Sequence, residues 1–483
     1  MRRILIFVIV GLLSATGLIA RPRAASAAIP GHIADAAISS CPTTGATVPP
    51  DYLGLSMEWS MVEFWVGTSR TSVVAPFVNV LNSLRSSPTT AGVLRVGGNS
   101  QDGYQWNPTG STTANSLFSG TINSGMVDAL LEAARRTGRK VILGLNLRND
   151  DPAMATALAR YAISQDTGHN LLALELGNEP NGYLSEADYL ARFQRYADAL
   201  AADPGTAGAP ITGPAISENA DVTWARDLWV RYASSGRMPF TTWHDYANAP
   251  NLSTLLQTVK ITELNSRIAA MDGAVGAARH RMDEGADTGK GGLDTVSNVQ
   301  GTTAWLIDAL LRGGASRLRS FHLHSWDGYY YPADNRRSFY TPFVIRDGQA
   351  SPRPNFYGLA LFKYAVGRRF CAVSTSNATG QLVRTWAVLD TGTNRIYAYA
   401  INKGGTGKAG TASVTAPTGH SGTAFINVMR STGCLGKTTT IEGATLPANG
   451  VFTWAGRPVN PVSGTRRYEF SLPECATALL SIP

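Results

Sequence analysis

Two glutamates that follow apolar, strand-like segments are the residues of this sequence best suited to carry chemistry. Glu179 lies in Gly177-Asn-Glu-Pro180, directly after the apolar run Leu171–Leu176. Glu284 ends the segment His280-Arg-Met-Asp-Glu284, which is also predicted as a strand. Cleavage of an acetal needs one carboxylic acid to protonate the leaving oxygen and a second carboxylate opposite it. If the fold brings Glu179 and Glu284 together, they could hydrolyse a glycosidic bond.

Glu263 is an alternative second carboxylate, because Val259-Lys-Ile-Thr-Glu263 also alternates like a strand. Choosing it leaves only about a dozen residues for a helix after Tyr246. The other interpretation takes Leu252–Met271 as that helix, since its apolar residues fall roughly on one face. Only this interpretation gives complete strand–helix units throughout, so we favour Glu284 and keep Glu263 open.

The elements that must position these glutamates are eight strands alternating with helices, as in parallel βα units. The predicted strands are Leu53–Trp59, Val93–Gly97, Val141–Asn146, Leu172–Gly177, Ile211–Pro214, Thr241–Tyr246, Ala278–Glu284 and Ser320–His324. Clear helices are predicted at Met126–Arg136, at Glu186–Leu200 with Ser185 as N-cap, and at Val296–Arg312, ending at Gly313-Gly314. The pattern indicates an α/β fold, a (β/α)₈ TIM barrel with its active site at the carboxyl ends of the strands. An open doubly wound sheet is the alternative, but no G-x-G-x-x-G follows the first strand.

The two ends of the chain differ in character from this region. After about Arg368, short alternating runs separated by Gly, Thr, Asn and Pro predict a β-sandwich. At the other end, Arg2-Arg3, the apolar run Ile4–Ala20 and Ala25-Ser-Ala27 predict a cleaved secretory signal over residues 1–27. An uncleaved anchor is the alternative. We expect a secreted protein with no stable membrane insertion after cleavage.

Charge and cysteine content narrow the class of partner. The formal charge of +8 becomes about +4 without the four arginines of residues 1–27, which suits an acidic substrate without requiring one. We expect no nucleic-acid partner, because no Lys/Arg run of that type is present. The four cysteines could form two disulfides in an oxidising compartment. Because they form no C-x-x-C or Cys/His cluster, we predict no metal site, and we predict no cofactor.

Further residues at the predicted strand ends could contact a sugar or tune the glutamates. Asn178 could hydrogen-bond a hydroxyl beside the reacting carbon, and Glu58 could bind other hydroxyls. Arg95 could keep the nucleophile ionised, or form a structural ion pair. In the loop after the eighth strand, Trp326 and Tyr330 could contact the sugar, or simply pack together. His244 and His324 are predicted to be polar side chains that fill the barrel.

Several blocks of the sequence, in order, resemble glycoside hydrolase family 79, the β-glucuronidases and heparanase. They span nearly the whole chain after residue 27: Val48-Pro-Pro-Asp-Tyr-Leu-Gly-Leu-Ser-Met-Glu58, Leu94-Arg-Val-Gly-Gly-Asn-Ser100, Leu176-Gly-Asn-Glu-Pro180, His244-Asp-Tyr246, Arg281-Met-Asp-Glu284, Thr295-Val-Ser-Asn298, Ala304-Trp-Leu-Ile-Asp308 and Pro352-Arg-Pro-Asn-Phe-Tyr-Gly358. The resemblance implies that Glu179 is the acid/base, that Glu284 is the nucleophile and that Tyr246 touches the nucleophile. One departure is Glu284-Gly-Ala-Asp, where the family often has Glu-x-Asn-Ser; Glu263-Leu-Asn-Ser266 carries that tail instead.

The resemblance also implies a domain organisation and a substrate. Residues 28–48 would add a strand to the sandwich of residues 368–483, around a catalytic barrel of residues 49–367, and a Cys41 bond to a C-terminal cysteine would fit that packing. The expected activity is retaining hydrolysis of β-linked glucuronides or uronate-containing glycans. A retaining β-glycosidase for neutral sugars and a carbohydrate-binding protein that has lost catalysis are the alternatives.

Overall fold

A computed structural model describes residues 31–113 and 115–483 of the chain. The predicted signal over residues 1–27 lies outside the described residues. In the described part, a parallel barrel is followed by a module of two antiparallel-rich sheets. No described helix is long and apolar enough to cross a membrane.

Eight strand positions close the barrel, which confirms the predicted fold class. The strands are Leu53–Glu58, Val93–Gly97, Lys140–Leu145, Leu171–Leu176, the two pieces Ile211–Thr212 and Pro214–Ile216, then Thr241–Tyr246, His280–Ala286 and Phe321–Ser325. The fifth strand is interrupted: its first piece pairs with the fourth strand and its second piece pairs with the sixth. The first strand pairs with both the second and the eighth, so the sheet closes on itself.

The strand register already brings polar residues together. Ser56 on the first strand lies opposite Arg95 on the second and His324 on the eighth. His244 on the sixth strand lies opposite Glu284 on the seventh. The seventh strand runs two residues past Glu284, so this glutamate lies inside the strand and not at its end as predicted.

Nine α-helices are described. They are Ala75–Ser83, Ser124–Thr137, Pro152–Gln165, Glu186–Ala202, Thr223–Tyr232, Leu252–Leu256, Thr258–Val275, Gln300–Ala315 and Pro354–Phe362. Ser185 caps its helix as predicted, accepting a hydrogen bond from the amide of Asp188. The predicted sixth helix is two helices, because Gln257 is extended between them.

The predicted helix end at Gly313-Gly314 is wrong. The helix begins at Gln300 and continues to Ala315, through both glycines. A Cβ on Gly313 would lie 2.4 Å from the hydroxyl oxygen of Tyr52, which the helix packs against. The glycine therefore permits close packing of this helix rather than ending it.

The sandwich is built from both ends of the described chain. One sheet has the order Ala372–Asn377, His32–Ser40, Gly410–Thr415 and Arg467–Leu472. The second contains Arg369–Phe370, Val383–Asp390, Arg395–Asn402, Thr477–Ile482, Ala424–Arg430, Thr440–Ile441 and Arg457–Val459. Disulfides join Cys41 to Cys371 and Cys434 to Cys475. The first one ties the N-terminal strand to the C-terminal module, while the domain boundaries themselves stay a prediction.

Candidate active site

A cavity of about 700 Å³ opens at the carboxyl ends of the barrel strands. Glu179 and Glu284 both line it, together with Glu58, Tyr246 and Trp326. Glu58 and Tyr246 end the first and sixth strands, Glu179 and Trp326 follow the fourth and eighth, and Glu284 lies two residues before the end of the seventh. Barrel enzymes assemble their active sites in this position, since the loops there vary without disturbing the core.

Glu284 is held by hydrogen bonds to both of its carboxylate oxygens. Arg95 donates from Nη1 to Oε2 at 2.7 Å, and the hydroxyl of Tyr246 donates to Oε1 at 2.6 Å. Nδ1 of His324 lies 3.6 Å from Oε2, and Nδ1 of His244 lies 4.0 Å from Oε1. The side chain is only 8% exposed, so its orientation is determined by the protein.

These neighbours determine the charge of Glu284. Burial by itself would raise the pKa of its carboxyl group, because a charged form is poorly solvated inside a protein. His324, His244 and Arg95 attract the negative charge and Tyr246 donates to it, so the pKa of Glu284 is lowered well below its usual range. Glu284 is therefore a carboxylate at neutral and mildly acidic pH.

Arg95 connects three carboxyl groups beneath the cavity. Its side chain is fully buried, and it contacts Glu175 at 2.7 Å and Glu284 at 2.7 Å, with Asp283 at 3.8 Å. Burial strongly raises the pKa of Asp283, and the adjacent Glu175 raises it further. Asp283 is therefore neutral, and the charge of Arg95 is balanced by Glu175 and Glu284 rather than by three carboxylates.

Asn178 is positioned by the same arginine. Its Oδ1 accepts a hydrogen bond from Nη2 of Arg95 at 2.9 Å, and its backbone amide donates to Asp102. Among the described residues, the side-chain nitrogen of Asn178 donates no hydrogen bond to the protein. Asn178 is not among the residues that line the cavity, and its contact with a sugar hydroxyl stays a prediction.

Glu179 lies in a backbone conformation that few residues other than glycine adopt. Its φ is +45°, and its amide donates to the carbonyl of Ala215. A carboxylate oxygen of Glu179 lies 3.0 Å from Nδ1 of His244, and the side chain is 31% exposed toward the cavity. Such strain at a strand end is common where a side chain must be aimed at a substrate.

One carboxylate oxygen of Glu179 and one of Glu284 lie within 4.8 Å of each other and of a ring nitrogen of His244. By distance, these three groups could also ligate a metal ion. Arg95, at 2.7 Å from Glu284, already supplies a positive charge to that carboxylate. The prediction that the protein uses no metal and no cofactor stays a prediction.

The carboxylate of Glu58, predicted to bind sugar hydroxyls, already accepts several hydrogen bonds from the protein. It accepts from the amides of Asn99 and Ser100 and from the hydroxyl of Ser100. Nε2 of His324 lies 3.3 Å from Oε1 of Glu58, the oxygen that also accepts from Asn99. Any contact between Glu58 and a sugar would therefore be made by a carboxylate whose orientation is already fixed.

The aromatic residues after the eighth strand divide into two groups. Trp326 lines the cavity, and its Nε1 donates to the hydroxyl of Tyr340, which sequence analysis missed. Tyr330 is not among the residues that line this cavity. Its ring stacks on Phe64 at 4.0 Å, and its hydroxyl donates to Ile345. The loop turns this side chain away, which no local sequence pattern indicates.

Glu263, the alternative nucleophile, lies in the helix Thr258–Val275. Its carboxylate pairs with Lys260 at 2.8 Å, and its side chain is 53% exposed. The strand that would have ended at Glu263 is therefore wrong. His244 and His324 are buried in the barrel as predicted, but they also contact the two carboxylates that line the cavity, a proximity that sequence analysis did not predict.

Comparison with known proteins defines the class of fold. No family model and no curated protein matches the chain. Among solved structures, a 4-O-α-L-rhamnosyl-β-D-glucuronidase from Fusarium oxysporum 12S is similar, with 17% identity and a TM-score of 0.70 over 92% of this chain and 100% of that one. A GH51 arabinofuranosidase from Xanthomonas axonopodis pv. citri has 14% identity and a TM-score of 0.68, over 93% of this chain and 100% of that one.

A GH39 enzyme from the same organism has 13% identity and a TM-score of 0.59, over 96% of this chain and 99% of that one. The shared feature of these structures is a TIM barrel with a sandwich module, as in several families of glycoside hydrolases. This chain has that fold. The resemblance to family 79 in particular stays a prediction.

Proposed function

We propose that this protein is a secreted retaining glycoside hydrolase in which Glu179 is the acid/base and Glu284 the nucleophile. The observation that carries the proposal is the approach of their carboxylate oxygens to within 4.8 Å. Retaining enzymes hold the two groups about 5–5.5 Å apart, whereas inverting enzymes leave about 6.5–9.5 Å for a water molecule. The approach of this pair is closer than the separation of inverting enzymes and supports the retaining mechanism.

The environments of the two glutamates support different roles. Glu284 is buried and ionised, as a nucleophile that attacks the anomeric carbon must be. Glu179 is more exposed, lies beside His244, and would donate a proton to the leaving oxygen. Water would then release the sugar from Glu284, with Glu179 accepting its proton.

We further propose that the substrate is a β-linked glucuronide or a uronate-containing glycan. Two cationic side chains, Lys290 and Arg336, line the same cavity as the two glutamates. A carboxylate on the sugar could pair with either of them. The similar structure whose name specifies a rhamnosyl-glucuronidase agrees with this class, and the resemblance to family 79 points to it independently.

Secretion is part of the proposal. It is supported by the signal-like residues 1–27 and by two disulfides, which persist in oxidising compartments.

The test is hydrolysis of a chromogenic aryl β-glucuronide by the protein and by two variants. Glu284→Gln should lower kcat by about 10²-fold or more, because a neutral amide cannot attack the anomeric carbon. Glu263→Gln is the matched control and should retain full activity. An aryl β-glucoside at equal concentration tests the alternative of a neutral sugar. Binding without turnover of either substrate would leave the carbohydrate-binding alternative and reject the proposed enzyme.

A further inference from the structure

A second cavity, of about 630 Å³, lies beside the catalytic one on the loop that follows the eighth strand. We call it the basic cavity, because five of its lining side chains are cationic and only one is a carboxylate. The cationic residues are Arg336, Arg337, Arg346, Arg353 and Lys437. Arg336 lines both cavities, so the two are adjacent.

Two of the five cationic side chains are neutralised by the protein and three are not. The one lining carboxylate, Asp327, is buried and is already held by two hydrogen bonds from Arg346. Outside the cavity lining, Asp294 pairs with Lys437 at 2.5 Å. Among the described residues, Arg336, Arg337 and Arg353 form no ion pair with a carboxylate. Like charges that converge in a concave site repel each other and attract an anion, and a cleft concentrates that field.

The rim adds a surface that suits a sugar ring. Tyr329 is 51% exposed, and the guanidinium of Arg346 lies 4.4 Å from the centre of its ring. Arg336 lies in the same way over Phe118, at 5.3 Å, and Phe118 lines the catalytic cavity. These contacts hold the two arginines at the edge of the cavities, and among the described residues the guanidinium of Arg336 donates to no carboxylate.

We propose that the basic cavity binds a carboxylate or sulfate group of the same glycan chain, on a sugar beyond the one held by the catalytic glutamates. This inference rests on the proposed function for the identity of the chain, since Arg336 joins the basic cavity to the catalytic one. It makes the protein selective for acidic oligosaccharides over single glucuronides. Arg337 and Lys437 line the basic cavity and are not among the residues that line the catalytic one.

The test compares two double variants that remove equal charge. Arg337→Gln with Lys437→Gln changes the basic cavity, and Arg160→Gln with Arg231→Gln removes two other exposed arginines. Affinity for a linear hexasaccharide of uronic acids is measured by calorimetry, in the Glu284→Gln background so that the ligand stays intact. We expect the first double variant to weaken binding about tenfold and the second less than twofold, because exposed charged contacts contribute modestly.

Three further measurements decide the interpretation. The carboxyl-reduced hexasaccharide should bind both double variants equally, and equal loss of both ligands in the first variant would overturn the site. A sulfated neutral hexasaccharide distinguishes sulfate from carboxylate as the bound group. With Glu284 intact, kcat/KM for an aryl β-glucuronide should be the same in both double variants, because neither Arg337 nor Lys437 lines the catalytic cavity.

The outcomes separate this inference from the proposed function. If the glucuronide is hydrolysed but both double variants bind each acidic hexasaccharide as well as the parent does, the basic cavity is not a glycan site. If no glycoside is hydrolysed but the first double variant loses acidic-hexasaccharide affinity selectively, the site stands and the proposed enzyme fails.

Discussion

Nη1 of Arg95 donates to Oε2 of Glu284 over 2.7 Å, although 189 positions separate the two residues in the chain. The arginine is fully buried and the glutamate nearly so. A buried carboxylate without such a partner would take up a proton, because desolvation disfavours its charge. Burial raises the pKa of the proposed nucleophile, and its ionised state therefore depends on His324, on His244 and on Arg95 from the second barrel strand.

Replacing Arg95 should impair both the rate and its pH dependence. In Arg95→Met the pKa of Glu284 rises, so the acid limb of kcat/KM should move to higher pH and kcat should fall by about 10²-fold or more. Arg139→Met is the control, since Arg139 is also fully buried but donates to the carbonyl of Leu53 at the opposite end of the barrel. That control should lose stability without moving the acid limb. An unmoved acid limb in a folded Arg95→Met would contradict the proposed role.

Tyr246 should contribute to the rate through its single hydrogen bond to Glu284. Tyr246→Phe removes the donor 2.6 Å from Oε1 while retaining the ring, and should lower kcat about tenfold. Tyr340→Phe is the matched control, because the Tyr340 ring lies 6.1 Å from the Tyr246 ring and its hydroxyl accepts from Trp326. Steady-state kinetics of both variants on an aryl glycoside make the comparison. Equal losses would indicate a general effect of the aromatic cluster.

Hydrolysis should proceed with retention of the anomeric configuration. The nearest oxygens of the two carboxylates lie within 4.8 Å, closer than the separation typical of inverting enzymes and in keeping with a covalent glycosyl-enzyme. Proton NMR of the first product formed from a β-glycoside should show the β anomer before mutarotation. A fluorinated substrate that stabilises the intermediate should label the peptide containing Glu284. An α first product would reject the double displacement.

Asp287 should make the protein less stable as the pH rises. Burial raises the pKa of its carboxyl group to about 7, although the nearby hydroxyl of Ser297 and backbone amides act to lower it. The unfolded chain loses this proton near pH 3.9, so between about pH 4 and 7 the folded state holds a proton that the unfolded state has released. In that window the free energy of unfolding should fall by about 1.4 kcal/mol per pH unit on account of this group.

Asp287→Asn cannot titrate and should remove that decline. The variant should gain at most about 4 kcal/mol relative to the parent at pH 7, and little below pH 4. Denaturant unfolding across this pH range measures the difference. Asp227→Asn changes an exposed residue that pairs with Arg226. Its free energy of unfolding should change with pH in the same way as that of the parent. If the free energy of unfolding of Asp287→Asn also changes with pH as that of the parent does, Asp287 is ionised in the folded protein.

The sequence by itself determined the barrel and the positions of Glu179 and Glu284. Both conclusions use local information: an apolar strand followed by polar residues, repeated with helices between, places its last residues at one end of a barrel. The choice of Glu284 over Glu263 followed from the need for complete strand–helix units. Predicted strands such as Val93–Gly97 and Thr241–Tyr246 match the described ones.

Only the tertiary structure decided which side chains meet. Closing the sheet brings Arg95, Tyr246 and Glu284 from three strands into one hydrogen-bonded group, and a register shift of a single residue would turn such side chains outward. The loop after the eighth strand places Trp326 in the cavity and Tyr330 against Phe64. The physical reason is that burial, charge compensation and loop direction depend on contacts between residues far apart in the chain, which strand and helix periodicity does not encode.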